Sequence, residues 1–232
     1  PATEITHVIS QVTFPAYSKL QDNLPKLREA YLRTLQLTAF LSFPIAGLIF
    51  VLAPDFTRIF LGEKWMPMVP AMQVLAIWGL IRSIGATTGP VFQGVGQPKI
   101  VTKIQFVELI LLVILIYPLS REYGILGTSL AVLFMGIVGG LAGSYMAIKV
   151  TMCSIRDFSK TLVFSFISSG IMSLSIFALK IYWLDLARIP ISIFILLILF
   201  AGFIYLIMNC LFSIFFGYKK NRIYKTLYEL LQ

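Results

Sequence analysis

The sequence contains few of the residues from which catalytic and metal sites are built. Among its 232 residues there are one histidine, two cysteines and ten acidic side chains, and charged residues make up only 12%. It has no His/Cys cluster, phosphate-binding loop or dinucleotide-binding fingerprint. Cys153 and Cys210 are too few for a disulfide framework and are interpreted as packing residues. The sequence therefore predicts a protein that is not an enzyme and that has no cofactor and no metal site.

Long apolar runs dominate the chain instead. Hydrophobic residues make up 58% and the mean hydropathy is +0.89, which indicates an integral membrane protein. In a soluble protein the net charge of +9 would suggest nucleic acid, but here it is more typical of cytoplasmic loops rich in Lys and Arg. We expect no nucleic-acid partner. The first residue is Pro1 and no signal peptide is visible, which favours a fragment of a longer protein.

The apolar runs predict an all-α, polytopic membrane helix bundle with six complete spans. Residues 1–17 resemble the end of a truncated span. A basic amphipathic segment follows, with Leu20, Leu24, Leu27 and Tyr31 on its apolar face, and is suited to the membrane surface. The chain then divides into residues 1–33, four spans in 34–150, and two further spans with a basic tail in 151–232. The six spans are 34–53, 68–96, 100–118, 124–147, 158–183 and 189–216.

The distribution of basic residues predicts the orientation of these spans. With the loop before the first complete span placed inside, thirteen basic residues fall on the inner side and five on the outer side. Cytoplasmic loops carry the excess of Lys and Arg in membrane proteins. We therefore expect a cytoplasmic-membrane protein with a cytoplasmic C-terminus.

The span 68–96 carries an arginine, Arg82, near its middle. A charge at this depth is costly and usually faces a bundle interior or a watery cavity. Gly85, Ala86, Gly89 and Gln93 continue the same helical face at spacings of three and four residues. This small and polar stripe is typical of a cavity wall or of a close helix contact.

Two carboxylates are candidate partners of Arg82 inside the membrane. At 1.5 Å per residue, Arg82 lies about 21 Å from the inner end of its span, Glu4 about 16 Å and Glu108 about 12 Å. Glu4 is therefore the better-matched partner, and a direct pair with Glu108 is marginal. A structural lock between helices and a cavity arginine that binds an anion both remain open. His7 is either a hydrogen-bonded structural residue or a proton relay.

Prolines and closely spaced glycines mark special points of the spans. Pro44 and Pro90 each free a backbone carbonyl, which a neighbouring group or water must satisfy inside a membrane. Either proline can be a static kink or a hinge. Three pairs of glycines spaced four apart permit close helix packing: Gly85 and Gly89, Gly136 and Gly140, and Gly139 and Gly143.

Four ordered motifs then indicate a family. The run FPAYSKLQDNLPKLREAYLR (14–33) resembles the cytoplasmic loop that follows the second span of each half in bacterial polysaccharide flippases. FLGEKW (60–65), VFQGVGQPKI (91–100) and YPLSREYGILG (117–127) continue the resemblance in the same order. The family belongs to the multidrug/oligosaccharidyl-lipid/polysaccharide exporter superfamily. The resemblance implies one lobe of a two-lobed alternating-access transporter, so that the N-terminal lobe is missing from this chain.

The resemblance also implies a substrate and assigns roles to the candidate residues. The substrate would be a polyprenyl-pyrophosphate-linked glycan, and membrane lipids would surround the lobe. A pyrophosphate inside a membrane needs a cation, and arginine binds phosphate in a fork. We hypothesise that Arg82 binds the substrate, with hydrogen bonds from Gln93 and Gln11. Glu4, Glu108 and His7 are candidate charge partners or proton or cation coupling residues.

Three other functions are considered. A cation-coupled exporter of drugs or other small molecules shares the architecture and would use a titrating Glu4 or Glu108. A membrane-embedded glycosyltransferase or polymerase needs larger outer loops than this sequence has. A structural membrane subunit without transport activity would use Arg82 for stability alone.

Overall fold

In the computed structural model, which describes residues 13–183 and 190–215, these residues form helices and no strand. Five of the helical stretches are long and apolar enough to cross a membrane. A π-helical turn, Thr57–Leu61, and a 3-10 helix, Glu63–Met68, join the second helix to the third. The helices are α1 (13–20), α2 (Leu24–Phe56), α3 (Val69–Ala86), α4 (Thr88–Gly94), α5 (Lys99–Thr151), α6 (Ile155–Trp183) and α7 (Ile191–Phe215).

The 53-residue helix α5 is a helical hairpin. Gly124 has φ 58° and ψ −130°, a conformation in the region that favours glycine, and it reverses the chain. Beyond the reversal, a Cβ on Gly127 would collide with the backbone of Leu119, and a Cβ on Gly143 would lie 3.9 Å from Ile104. The first arm (99–123) and the second arm (125–151) therefore run antiparallel. They correspond to the two separate spans predicted at 100–118 and 124–147.

Helix α2 begins at Leu24, ten residues before the predicted start of its span. Asn23 caps it, because its side-chain oxygen accepts a hydrogen bond of 3.2 Å from the backbone N–H of Lys26. The placement of this stretch on the membrane surface stays a prediction. Two members of its apolar face, Leu27 and Tyr31, are fully buried and pack against α4 and the second arm of α5, whereas Leu24 is exposed.

Pro44 lies inside α2, and the helix continues through it. Proline has no N–H, so the carbonyl of Phe40, four residues earlier, loses its helical partner. The hydroxyl of Tyr205 in α7 donates a hydrogen bond of 2.9 Å to that carbonyl. The prediction that a neighbouring group satisfies this carbonyl is confirmed.

A second proline inside α2, Pro54, also frees a carbonyl that a side chain from a neighbouring helix satisfies. Its missing N–H frees the carbonyl of Phe50, and the side-chain amide of Gln73 in α3 donates a hydrogen bond of 3.0 Å to it. Each of the two prolines inside α2, Pro44 and Pro54, is thus matched by a polar side chain from a different neighbouring helix. These bonds fix α3 and α7 against α2.

Helices α6 and α7 both pack on α2. The hydroxyl of Ser169 donates a hydrogen bond of 2.8 Å to the Phe43 carbonyl, and a Cβ on Gly47 would press on the Ser169 and Ser173 hydroxyls. Small residues at this contact let α2 and α6 approach closely. An apolar cluster completes the contact between the three helices: Leu52, Met172, Ile176, Phe194, Leu197, Ala201 and Tyr205.

Candidate functional site: a groove around Arg82

A groove of about 790 Å³ lies between α3, α4 and the two arms of α5. All five members of the predicted stripe line it, so the stripe is a cavity wall: Arg82, Gly85, Ala86, Gly89 and Gln93. The first arm contributes Gln105 and Glu108, and the second arm contributes a row of glycines. Polar side chains and backbone therefore meet inside a part of the protein that is otherwise apolar.

The stripe is divided between two helices. The sequence predicted one span over 68–96, but α3 ends at Ala86 and α4 begins at Thr88. Pro90 explains the break, because it cannot donate a hydrogen bond to the carbonyl of Ala86. At the same break, the hydroxyl of Thr88 donates a hydrogen bond of 2.7 Å to the Gly85 carbonyl. Gln93 is thereby placed on a short helix that is separate from the one that carries Arg82.

Arg82 and Glu108 face the same groove without forming an ion pair. Arg82 is exposed to it, and Glu108 is half-buried. Among the carboxylates that the structure describes, none has an oxygen within 4.0 Å of the Arg82 guanidinium. The two charges are still close enough to attract each other electrostatically. Arg82 therefore keeps its hydrogen-bonding capacity within the described part of the groove.

The glycines of the second arm make room for side chains from the opposite wall. A Cβ on Gly139 would overlap the Glu108 carboxylate, and a Cβ on Gly136 would lie 2.6 Å from the indole ring of Trp78. The predicted close packing is therefore present at Gly136 and Gly139, between glycine backbone and side chains. It is wrong for Gly85 and Gly89, because nothing lies within 4 Å of a Cβ added at either position. The space left by the missing side chain of Gly139 lets the Glu108 carboxylate lie in the groove opposite Arg82.

Three of the predicted site residues, Glu4, His7 and Gln11, lie outside the described residues. The proposed match between Glu4 and Arg82 stays a prediction. Gln93 lies in the groove as expected and is exposed to it. Gln105 was missed, although it precedes Glu108 by three residues and therefore shares its helical face.

A buried ion pair away from the groove was also missed. The Lys180 ammonium of α6 contacts the Asp55 carboxylate of α2 and donates a hydrogen bond of 3.4 Å to the Val51 carbonyl. The two side chains are only 8% and 5% exposed. Lys180 lies within α6, so its charge serves a contact between helices and is not part of an exposed loop. The partners lie 125 positions apart, so the sequence carries no local signal of the pair.

Among residues 13–183 and 190–215, no group of three or more His, Cys, Asp or Glu side chains could hold a metal ion. The polar side-chain groups of the groove are a guanidinium, two amides, one carboxylate, the Thr88 hydroxyl and the Trp78 indole N–H. Such groups bind and orient an anionic or hydroxyl-rich ligand by charge and hydrogen bonds.

Comparisons with known proteins agree with this architecture. Residues 1–70 match the model of a family described as polysaccharide biosynthesis protein. The chain is 28% identical over 149 residues to the lipopolysaccharide biosynthesis protein WzxC of Escherichia coli strain K12, covering 64% of this chain and 30% of that protein. It is 24% identical to the teichuronic acid biosynthesis protein TuaB of Bacillus subtilis strain 168, covering 78% of this chain and 38% of that protein.

A third relative and a solved structure cover more of the chain. A membrane protein from the cps region of Klebsiella pneumoniae is 26% identical over 208 residues, which are 89% of this chain and 42% of that protein. The lipid II flippase MurJ in an inward closed conformation has the same fold, with a TM-score of 0.69 at 20% identity. The match covers 88% of this chain and 42% of MurJ. The chain thus spans less than half the length of each of these proteins.

Three features coincide: a multi-pass helical fold shared with a flippase, a polysaccharide biosynthesis family match at residues 1–70, and relatives in polysaccharide biosynthesis. The chain is therefore similar in sequence to proteins of polysaccharide biosynthesis and shares its fold with a lipid II flippase.

Proposed function

We propose that the protein to which this chain belongs moves a lipid-linked glycan precursor across the cytoplasmic membrane by alternating access. Its relatives are named for lipopolysaccharide and teichuronic acid biosynthesis, and a flippase shares its fold. The substrate class is a glycan on a polyprenyl-pyrophosphate carrier. The described helices form one lobe, and a second lobe on the N-terminal side would close the pathway and rock against this one.

The observation that carries the proposal is the position of Arg82. It lies in a groove between apolar helices, and no described carboxylate is within 4.0 Å of its guanidinium. An arginine in a membrane span is costly and is a marker of substrate pathways. Its planar fork binds phosphate oxygens through two parallel hydrogen bonds. Arg82 therefore binds the pyrophosphate or an anionic sugar of the substrate.

Neighbouring groups complete the site. The Gln93 amide donates to and accepts from sugar hydroxyls, and Gln11 offers a second amide. Glu108 attracts Arg82 when the groove is empty and competes with the incoming anion. Glu4 and His7 are further candidates for charge balance or for coupling to a proton or cation.

The orientation follows from the distribution of charge. With thirteen basic residues assigned to the inner side, the loops before α2, around Gly96 and between α5 and α6 face the cytoplasm, as does the C-terminus. The Gly124 reversal and the Lys180–Asp55 pair then lie towards the outer face. The region 151–232 supplies the two additional helices that pack on α2.

The proposal is tested by flipping assays on the full-length protein in proteoliposomes with its lipid-linked glycan. We expect Arg82→Ala to slow flipping by about tenfold or more, because a charge-assisted hydrogen bond contributes roughly 1.5–3 kcal/mol. Arg82→Lys keeps the charge but loses the fork, and we expect it to restore flipping only in part. Arg121→Ala, an exposed arginine near the Gly124 reversal, is the matched control and should flip at the wild-type rate.

Two results would overturn this assignment. One is wild-type flipping by both Arg82 variants at equal amounts of folded protein in the membrane. The other is a lowered melting temperature for Arg82→Ala with normal flipping per folded molecule, which would make Arg82 a structural lock.

A further inference from the structure

A second groove, of about 260 Å³, lies on another face of the α5 hairpin. It runs between the two arms and shares only Ile104 and Gly139 with the groove around Arg82. Neither Arg82 nor Glu108 reaches it. Its walls are the aliphatic side chains of Ile100, Ile104, Val107, Val138, Ala142 and Met146.

Lysines surround one end of this groove. Lys99 and Lys103 line it directly and are one helical turn apart at the start of the first arm. Lys149 lies three residues beyond Met146 in the second arm and therefore continues the same face. The three side chains are exposed, and no carboxylate of the described residues lies within 4.0 Å of any of them. The groove is thus apolar along its length and cationic at its mouth.

We propose that this groove binds one acyl chain of an anionic phospholipid, whose phosphate is held by Lys99 and Lys103. This inference rests on the orientation in the membrane proposed above, in which the two lysines lie at the cytoplasmic leaflet. That leaflet carries the negative surface charge, and basic pockets between membrane helices on this side bind anionic headgroups. Lysine stems lie along apolar surface and leave the ammonium groups at headgroup level.

The chemistry of the groove selects this occupant. A free phosphate has no apolar part to contact the aliphatic walls. A zwitterionic phospholipid brings an ammonium group, which the charges of Lys99 and Lys103 repel. The glycan substrate needs polar groups, which line the groove around Arg82 and are absent from the walls described here. The positive end of the α5 helix dipole lies at Lys99 and adds to the attraction for an anion.

The test is a lipid titration of the delipidated full-length protein in detergent, followed by native mass spectrometry. The probes are phosphatidylglycerol, phosphatidylethanolamine of the same chain length, and free glycerol phosphate. We expect phosphatidylglycerol to bind at least tenfold more tightly than phosphatidylethanolamine, and glycerol phosphate not to compete. The double variant Lys99→Ala/Lys103→Ala should weaken phosphatidylglycerol binding at least tenfold.

A matched pair of controls separates the site from general surface charge. Lys26→Ala/Lys160→Ala removes the same charge from exposed positions outside the groove and should leave the affinity unchanged. Ala142→Leu and Ala142→Trp fill the groove without altering its charge. Both should weaken phosphatidylglycerol binding, and Ala142→Trp should weaken it more. An unchanged melting temperature shows that each variant folds.

Four outcomes overturn the proposal: equal affinity for the two phospholipids, unchanged binding by Lys99→Ala/Lys103→Ala, an equal loss in the Lys26→Ala/Lys160→Ala control, or unchanged binding by folded Ala142→Trp. Displacement of phosphatidylglycerol by a polyprenyl phosphate at lower concentration also overturns it, because the groove would then belong to the carrier. None of these readouts depends on flipping, so a failure of the proposed transport function leaves this test intact.

Discussion

The hydroxyl of Tyr205 in α7 donates a hydrogen bond to the carbonyl of Phe40 in α2, the carbonyl that Pro44 leaves without a helical partner. The Tyr205 and Phe40 rings also lie 5.3 Å apart, centroid to centroid. Inside a membrane no bulk water can satisfy a freed carbonyl, so a neighbouring helix has to supply the donor. The proline in α2 and the tyrosine in α7 are therefore one structural unit.

This relationship predicts a coupled effect of two substitutions. Tyr205→Phe removes the donor and should lower the free energy of unfolding by roughly 0.6–1.7 kcal/mol, from the average to the maximum found for hydrogen bonds between membrane helices. In a Pro44→Ala background, the N–H of residue 44 satisfies the Phe40 carbonyl. Tyr205→Phe should therefore lower the free energy of unfolding by less in that background. A thermodynamic cycle of the four proteins, measured by denaturant titration in micelles, gives the coupling.

Additive effects of the two substitutions would contradict this account. A suitable control is Tyr145→Phe, because Tyr145 is 65% exposed and its hydroxyl is not among those that satisfy a proline-freed carbonyl. It should change the stability by much less than Tyr205→Phe.

The buried pair of Lys180 and Asp55 predicts a large cost for losing either partner. Lys180→Met or Asp55→Leu leaves one charge buried without its counter-ion, which destabilises proteins by about 3–5 kcal/mol. The double variant removes both charges and should recover most of that loss. Melting temperatures in detergent measure the effect.

The exposed pair of Arg58 and Glu63 serves as the comparison for the buried pair. Its side chains are 29% and 71% exposed, so removing Glu63 should change stability by about 0–1 kcal/mol. Equal losses at the two pairs would show that burial does not govern the Lys180–Asp55 interaction.

The turn of the α5 hairpin predicts that Gly127→Ala is destabilising. The added Cβ would meet the backbone of Leu119 and Ser120, which cannot rotate away, and overpacking costs about 1–3 kcal/mol. Gly202→Ala in α7 is the matched control, because nothing lies within 4 Å of its added Cβ. At position 202 the higher helix propensity of alanine should raise the free energy of unfolding by up to about 1 kcal/mol. Thermal melting of both variants checks the difference in sign.

Cys153 predicts a pH-dependent reactivity at the turn between α5 and α6. Burial, with a smaller contribution from the Asp157 carboxylate, raises the pKa of the Cys153 thiol above its ordinary value. Since the thiolate is the reactive form, alkylation should be slow at neutral pH and should accelerate only as the pH rises through the raised pKa. The rate is measured in a Cys210→Ser background, with the denatured protein as the accessible reference. Asp157→Asn should shift the profile towards lower pH, and an unchanged profile would contradict the assigned contribution of Asp157.

The sequence carries enough information for the spans and for the wall of the candidate site, because both depend on local periodicity. The stripe from Arg82 to Gln93 follows directly from helical spacing, and all five of its members line the groove. The start of α2 was placed too late because the burial of Leu27 and Tyr31 depends on a partner surface more than fifty residues away. A basic amphipathic pattern alone does not distinguish a membrane surface from a protein core.

The pairs that hold the helices together could not be read from the sequence. Lys180 meets Asp55 across 125 residues, and Gln73 satisfies the Phe50 carbonyl across 23 residues. Pro44 predicts that some donor must exist, but only the packing of α7 against α2 selects Tyr205. Periodicity fixes which face a residue occupies, whereas its partner depends on how whole helices are arranged.

The reversal at Gly124 has a consequence for how the protein is made. Since the two arms of α5 are joined by a single glycine with φ 58°, there is almost no hydrophilic loop to carry across the bilayer between them. The polar segment before the turn contains Arg121 and Glu122, whose charges cancel. The polar stretch that has to cross the bilayer together with the hairpin is therefore short and carries no net charge.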